Sequence, residues 1–241
     1  MKFARIVFPL VMLAAPCVAQ SVDELVAKNI SARGGAEKLR AIQTISMTGT
    51  ITFGDQNSPI TVQIARPSKI REEFAVQGMQ ITRAYNGSQG WEAQKTEDAP
   101  QVRDLNGGEL NNIREEAENA IEGPLLDYGK KGSKAEYLGK DTVDGKPVVK
   151  LKITTSMGTS ITQFLDAETY LEIHQEIERS SEGKVVTIVE DVGDYREVNG
   201  VKFAHLFVSG SRENPKAVTL KIEKMEVDVP VDGAAFEKTS K

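Results

Sequence analysis

At 241 residues, 39% of them apolar and 27% charged, the chain is long enough for one large folded domain and too balanced in composition for disorder. Its 30 basic and 35 acidic residues leave a net charge of −5, so no overall positive field exists to hold nucleic acid. One tryptophan and 6% aromatics offer no stacking platform, and a single cysteine, Cys17, nearly excludes disulfides, thiolate metal sites and cysteine catalysis.

Lys2 and Arg5 precede a short apolar run from Ile6 to Ala15, and Cys17-Val18-Ala19 supplies tolerated residues before a cleavage point. This is the layout of a secretory signal peptide, residues 1–19, cut after Ala19. The run is shorter than the ~20 apolar residues of a permanent span. The competing reading, Cys17 as a lipidation cysteine, is disfavoured by Pro16 directly before it. The exported product, residues 20–241, is expected to be soluble, disulfide-free and periplasmic.

Ser21-Val22-Asp23-Glu24 has the form of a capping box, in which the serine oxygen and the glutamate each satisfy a free amide. Val22, Leu25, Val26, Asn29 and Ile30 follow with helical spacing, predicting a helix over 22–33 that Gly34-Gly35 breaks before a short helical turn from Ala36 to Ala41. From Ile45 the period becomes 2. Ile45, Met47, Gly49, Ile51 and Phe53 alternate with Ser46, Thr48, Thr50 and Thr52, the signature of a half-buried strand.

Gly54 to Pro59 is read as a turn and Ile60, Val62 and Ile64 as the next strand, ended at Arg66-Pro67. Ile70–Val76 and Met79–Tyr85 make another pair, and Asn86-Gly87-Ser88 turns the chain into a strand around Trp91. Residues 97–108 are polar. Leu110, Ile113, Ala117, Ala120 and Ile121 then keep one apolar face on an otherwise polar helix. Gly123-Pro124 stops it before the apolar island Leu125-Leu126-Asp127-Tyr128.

Strands resume after Ala135, with turns at Asp144-Gly145, Met157-Gly158 and Ser181-Glu182-Gly183. Leu171, Ile173 and Ile177 alternate with Glu172, His174, Glu176 and Glu178. Asn199-Gly200 is the strongest hairpin signal, leading into Val201–Val208. In the last strand, Ala217 to Val229, the apolar phase slips between Ile222 and Met225, predicting a bulge. The expected architecture is mostly β: a single curved antiparallel meander of about ten or eleven strands forming an unclosed half-barrel, with the N-terminal and mid-chain helices against its concave face.

The run Gln63-Ile64-Ala65-Arg66-Pro67-Ser68-Lys69-Ile70-Arg71-Glu72-Glu73-Phe74, the segment Tyr85-Asn86-Gly87-Ser88-Gln89-Gly90-Trp91 and the stretch Asp194-Tyr195-Arg196-Glu197-Val198-Asn199-Gly200-Val201-Lys202-Phe203 carry a resemblance over almost the whole exported chain. It resembles the periplasmic lipoprotein-carrier proteins of the Lol pathway, and more closely their outer-membrane lipoprotein-sorting relatives. The resemblance implies an unclosed barrel with a helical lid over an apolar cavity that holds the acyl chains of a lipoprotein or another lipid. It also implies envelope partners for loading and unloading, transient membrane contact and a monomeric state. Arg66 matches the arginine of the family's Arg-Pro pair, which ties barrel to lid by hydrogen bonds; five donors on a planar fork suit that role.

The candidate cavity-lining residues each keep an ordinary alternative. Met47, Ile51, Phe53, Val62, Ile64 and Phe74 are core residues first, about a third of them touching ligand if the barrel is open. Trp91 either lines the cavity mouth or packs in the sheet core. Leu110, Ile113, Leu125 and Leu126 are either lid contacts or a helix-to-sheet seam. His174 and His205 lie in different strands and both face outward by alternation, so no metal site is expected. Glu190-Asp191 and Asp194 read as a solvated turn. No nucleophile elbow, phosphate loop or zinc motif occurs, so neither a cofactor nor enzymatic chemistry is expected. A non-enzymatic envelope sensor or scaffold that binds a partner protein through the same half-barrel is the alternative.

Overall fold

The computed structural model describes residues 21–95, 100–181 and 184–238; the export signal read in residues 1–19 lies outside them. Helix α1 (Val22–Ala32) begins where the sequence places it, with Ser21 Oγ accepting the Glu24 amide at 3.1 Å. Gly34 and Gly35 then adopt φ of 120° and 99°, a region open to glycine and costly for other residues. Helix α2 (Ala36–Ala41) follows the corner.

Six strands lead to the middle of the chain: β1 (Thr44–Phe53), β2 (Gln56–Ala65), β3 (Lys69–Val76), β4 (Met79–Tyr85), β5 (Gly90–Lys95) and β6 (Pro100–Asp104). Helix α3 (Gly107–Asn119) comes next. The second half carries β7 (Lys134–Val143), β8 (Lys146–Thr154), β9 (Ser160–Asp166), β10 (Glu172–Ser181), β11 (Lys184–Gly193), β12 (Arg196–Val198), β13 (Val201–Phe203), β14 (Leu206–Ser211) and β15 (Val218–Val227), and a 3₁₀ turn at Gly233–Phe236. Thirteen strands form one antiparallel sheet in the order β6-β5-β4-β3-β2-β1-β15-β14-β11-β10-β9-β8-β7, and β12–β13 is a separate hairpin.

That order explains the shape. The first and last strands pair at the centre, and each half of the chain meanders outward from them. Strands β6 and β7, consecutive in the chain, end up as the two opposite edges of an unclosed half-barrel. The segment joining them, α3 and the turns after it, must therefore cross the concave side. This crossing makes α3 a chord over the trough.

The thirteen strands of the sheet exceed the ten or eleven expected, and one of the additional strands is β6, which lies in the polar stretch 97–108. It is an edge strand with one partner, where polar residues are ordinary. Strand β2 starts at Gln56, so the turn before it is shorter than Gly54–Pro59. Pro59 is accommodated because the ladder to β3 begins only at Thr61, and beyond it Ser58 Oγ accepts the Ala75 amide at 2.8 Å. The expected strand Val201–Val208 divides into β13 and β14 at Ala204-His205. His205, expected outward, is buried in that break with Nδ1 2.9 Å from the Phe203 carbonyl oxygen. The predicted bulge is present: Thr48 opposes Lys224 and Gly49 opposes Ile222, leaving Glu223 unopposed.

Candidate functional site

Directly opposed residues of antiparallel strands share a face, so the register identifies the concave lining. Met47 lies between Val62 and Met225, and Ile51 opposes Leu220. Ile64 opposes Ile70, and Leu220 opposes Phe207. These side chains floor a cavity of about 710 Å³ between the sheet and α3, within the size range of small-ligand sites. Of the residues expected to line it, Met47, Ile51, Val62, Ile64 and Leu125 do.

Six others do not. Phe53 and Phe74 share the concave face but lie outside the lining, tilted on each other with ring centroids 6.0 Å apart. Trp91 opposes Ala84, which opposes Arg71, and this row is the convex face. There the buried indole donates to the Phe236 carbonyl oxygen at 2.9 Å. Leu110 and Ile113 form the helix-to-sheet seam, because Gly90 leaves room beneath them: a Cβ there would sit 3.0 Å from Leu110 and 3.2 Å from Ile113. Leu126 is buried in the core outside the cavity. Since the apolar stripe of α3 is used on that seam, its cavity side presents Asn112, Glu115, Glu116 and Asn119.

The far end of α3 is held by cations. Arg66, at the end of β2, donates from Nε to the Ile42 carbonyl (2.7 Å) and from Nη2 to the Leu39 carbonyl (3.0 Å) and Glu122 Oε2 (2.8 Å). Arg33 donates to the Glu122 and Ile121 carbonyls at 2.7 and 3.1 Å. Lys131 reaches Glu122 Oε1 at 3.0 Å and the Gly123 carbonyl at 2.9 Å. Positive groups satisfy the free carbonyls and oppose the negative pole at a helix C-terminus. Burial alone would raise the Glu122 carboxyl, but the Arg66 hydrogen bond and the Lys131 charge outweigh it and hold it below the usual range. Near the helix start, Arg103 makes two bonds to Glu109, at 2.7 and 2.9 Å.

Polar groups in the cavity form two sets. Near α3, Arg83 lies 3.5 Å from Glu72 and 3.6 Å from Glu116. Burial, and next the Glu116 charge, push Glu72 up to about 8. On the other half of the floor sit Gln163, Glu172, Gln175 and Glu190. Gln163 donates to Glu172 Oε2 at 2.9 Å, and Gln175 donates to Glu190 Oε1 at 2.7 Å. Burial, then the Glu190 charge, push Glu172 up to about 8. Burial likewise raises Glu190 and the nearby Tyr195 phenol.

This second set corrects the alternation read along β10. Glu172 opposes Leu165 and His174 opposes Phe164, so Ile173 is an extra residue and the phase flips. Glu172 therefore faces inward with Gln175 and Ile177. Glu190, expected in a solvated turn, lies within β11. The alternation from Leu171 to Glu178 runs through the extra residue and carries no signal of the flip. Among the described residues no group of three or more His, Cys, Asp and Glu is placed to hold a metal, and no helix is long and apolar enough to cross a membrane.

The geometry defines an unclosed half-barrel with a chord helix over an internal cavity, a class shared with solved structures. A DUF1329 family protein from Desulfovibrio piger superposes with a TM-score of 0.58 at 13% identity, over 90% of this chain and 97% of that one. A LolA superfamily protein from Nitrosomonas europaea gives 0.56 at 10%, over 91% and 99%. A domain described as an outer membrane lipoprotein-sorting protein, from Vibrio parahaemolyticus, gives 0.53 at 11%, over 88% and 94%. The chain thus shares its fold with these structures. No family profile matches the sequence, and no curated protein matches it.

Proposed function

We propose that the chain is a carrier or binding protein of the bacterial envelope that shields the acyl chains of a lipoprotein or another lipid from water. The observation that carries this reading is the cavity of about 710 Å³ floored by Met47, Ile51, Val62, Ile64, Leu220 and Ile222 beneath α3. An exposed acyl chain costs about 0.8 kcal/mol per CH₂, and a trough of this kind removes that cost without covalent chemistry. Arg66, Arg33 and Lys131 act as the latch that sets when the α3 segment lifts. The fold shared with these solved structures supports the reading, and so does the export signal read in the sequence of residues 1–19.

The test is native mass spectrometry of protein purified gently from an envelope extract, followed by solvent extraction and lipid analysis. A stoichiometric adduct of acyl-chain mass is expected. A clean apo mass, together with no uptake of a fluorescent fatty-acid probe, would transfer the reading to a scaffold that binds a partner protein.

A further inference from the structure

The cavity lining carries buried side-chain oxygens that have no hydrogen-bond partner among the described residues. Gln163 is only 3% exposed. Its amide nitrogen is spent on Glu172, and its Oε1 has no partner. The Oε1 of Glu172 has none either. Facing the cavity from α3, Glu115 is 7% exposed and also leaves Oε1 without a donor. Each such group forfeits about 1–3 kcal/mol if it stays unsatisfied, so a donor brought by a bound molecule would gain at these positions.

Four cations line the same cavity, Arg33, Arg83, Arg179 and Lys202, of which Lys202 is exposed to solvent. Arg33 gives both terminal nitrogens to the carbonyls of Ile121 and Glu122, and Arg83 lies between Glu72 and Glu116. Arg179 keeps a free Nε, but it sits on β10 beyond Ile177, seven residues from Glu172 along the strand. The charged and titratable groups around Glu172 are Arg33 at the end of α1, Glu190 from β11 and Tyr195 from the segment before β12, and Glu116 from α3 acts on Glu190. The two unpartnered oxygens there, Gln163 Oε1 and Glu172 Oε1, belong to side chains already bonded to one another. A single hydroxyl offers one donor; an ammonium offers three, with a positive charge.

We infer that the cavity takes a single-chain or multi-chain amphiphile with an ammonium head group, its nitrogen donating to Gln163 Oε1 and Glu172 Oε1 and its chain lying along Met47, Val62, Leu220 and Ile222. This assignment rests on the carrier reading and adds the chemistry of the head. Burial and the Glu190 charge keep Glu172 protonated to about pH 8; a bound ammonium favours the ionised form. Affinity for such a ligand therefore rises as the pH is raised from 6 to 8.5, while an uncharged head shows no such rise.

The experiment titrates delipidated protein by calorimetry with dodecylamine, dodecanol and dodecanoate below their micelle concentrations. Dodecylamine should bind at least about tenfold more tightly than dodecanol, the equivalent of one charge-assisted hydrogen bond, and dodecanoate weakest of the three. Gln163→Leu and Glu172→Gln should each bring the amine-to-alcohol ratio close to one and leave dodecanol binding unchanged. The wild-type ranking needs no variant, so it stands even if either substitution prevents folding. Equal affinities, or a preference for dodecanoate, would overturn the head-group assignment and leave the carrier reading intact. Binding of none of the three chains would overturn both.

Discussion

Arg66 and Glu122 meet at 2.8 Å across the gap between the end of β2 and the end of the α3 segment, with only a quarter and about a tenth of their side chains exposed. The same guanidinium holds the Ile42 and Leu39 carbonyls. One residue thus joins the sheet, the α2 corner and the chord that closes the cavity.

Replacing Arg66 by alanine strands two backbone carbonyls and leaves Glu122 with Lys131 alone. The expected loss is about 2–4 kcal/mol of stability, the range for removing one member of a partly buried, hydrogen-bonded pair. Hydrogen exchange should show faster exchange over residues 107–123 and little change in β1, β2 and β15. Arg66→Lys should not restore protection, because an ammonium cannot reproduce the planar fork. Unchanged exchange in the α3 segment of Arg66→Ala would remove the latch role.

A second test separates backbone strain from backbone contact. Gly34 and Gly35 both have positive φ, yet a Cβ on Gly34 would overlap the Gly200 carbonyl oxygen, whereas one on Gly35 meets open space. The Lys202 amide also donates to the Arg33 carbonyl at 2.8 Å, so the β12–β13 hairpin is docked on this corner. Gly35→Ala should cost about 1 kcal/mol for the conformation alone, and Gly34→Ala clearly more. Denaturant midpoints of the two variants measure the difference; equal midpoints would mean the hairpin simply moves aside.

Much of this architecture is legible in the chain. The period-2 run in β1 and the phase slip at Ile222–Met225 gave the strand and its bulge, because a half-buried strand writes its face into every second residue. The capping serine did the same for α1. What could not be read is the face of isolated aromatics and acids. Trp91 follows Gly90 in a short strand whose concave positions are Gly90, Glu92 and Gln94, so its burial against the 3₁₀ turn depends on a segment 145 residues away. Glu172 faces inward only because Ile173 is an extra residue between the pairs Glu172–Leu165 and His174–Phe164. The apolar stripe of α3 was visible, but not that Gly90 would draw it onto the sheet and leave the polar side to the cavity.

Stability should vary with pH in a dome. Glu72 and Glu172 have folded values near 8, against about 4.3 in an unfolded chain. Between those values the folded state holds more protons than the unfolded one, so their contribution is full below about pH 4 and is lost as the pH rises toward 8. Glu122 has the opposite sign: held below the usual range, it stabilises above about pH 4 and loses that contribution as the pH falls. Urea midpoints should therefore peak near pH 5 and decline toward pH 8.5. Glu172→Gln should flatten the alkaline decline, and a midpoint still rising between pH 6 and 8 would contradict the buried acids.

Trp91 provides a check on which face of the sheet is which. It is the only tryptophan in the chain, it is 2% exposed, and its indole is tied to the Phe236 carbonyl, with the Arg71 guanidinium 5.7 Å from the ring centroid. All of these contacts are on the convex side, with the sheet between the ring and the cavity. Loading the cavity with an acyl chain should leave the tryptophan emission maximum where it is in the empty protein. Trp91→Phe should lower stability by about 1–3 kcal/mol, since it leaves the Phe236 carbonyl without its donor, yet bind the same probe with unchanged affinity. A blue shift on loading, or a loss of binding in a folded Trp91→Phe protein, would place the indole on the cavity side and reverse the assignment of faces from which the lining was derived.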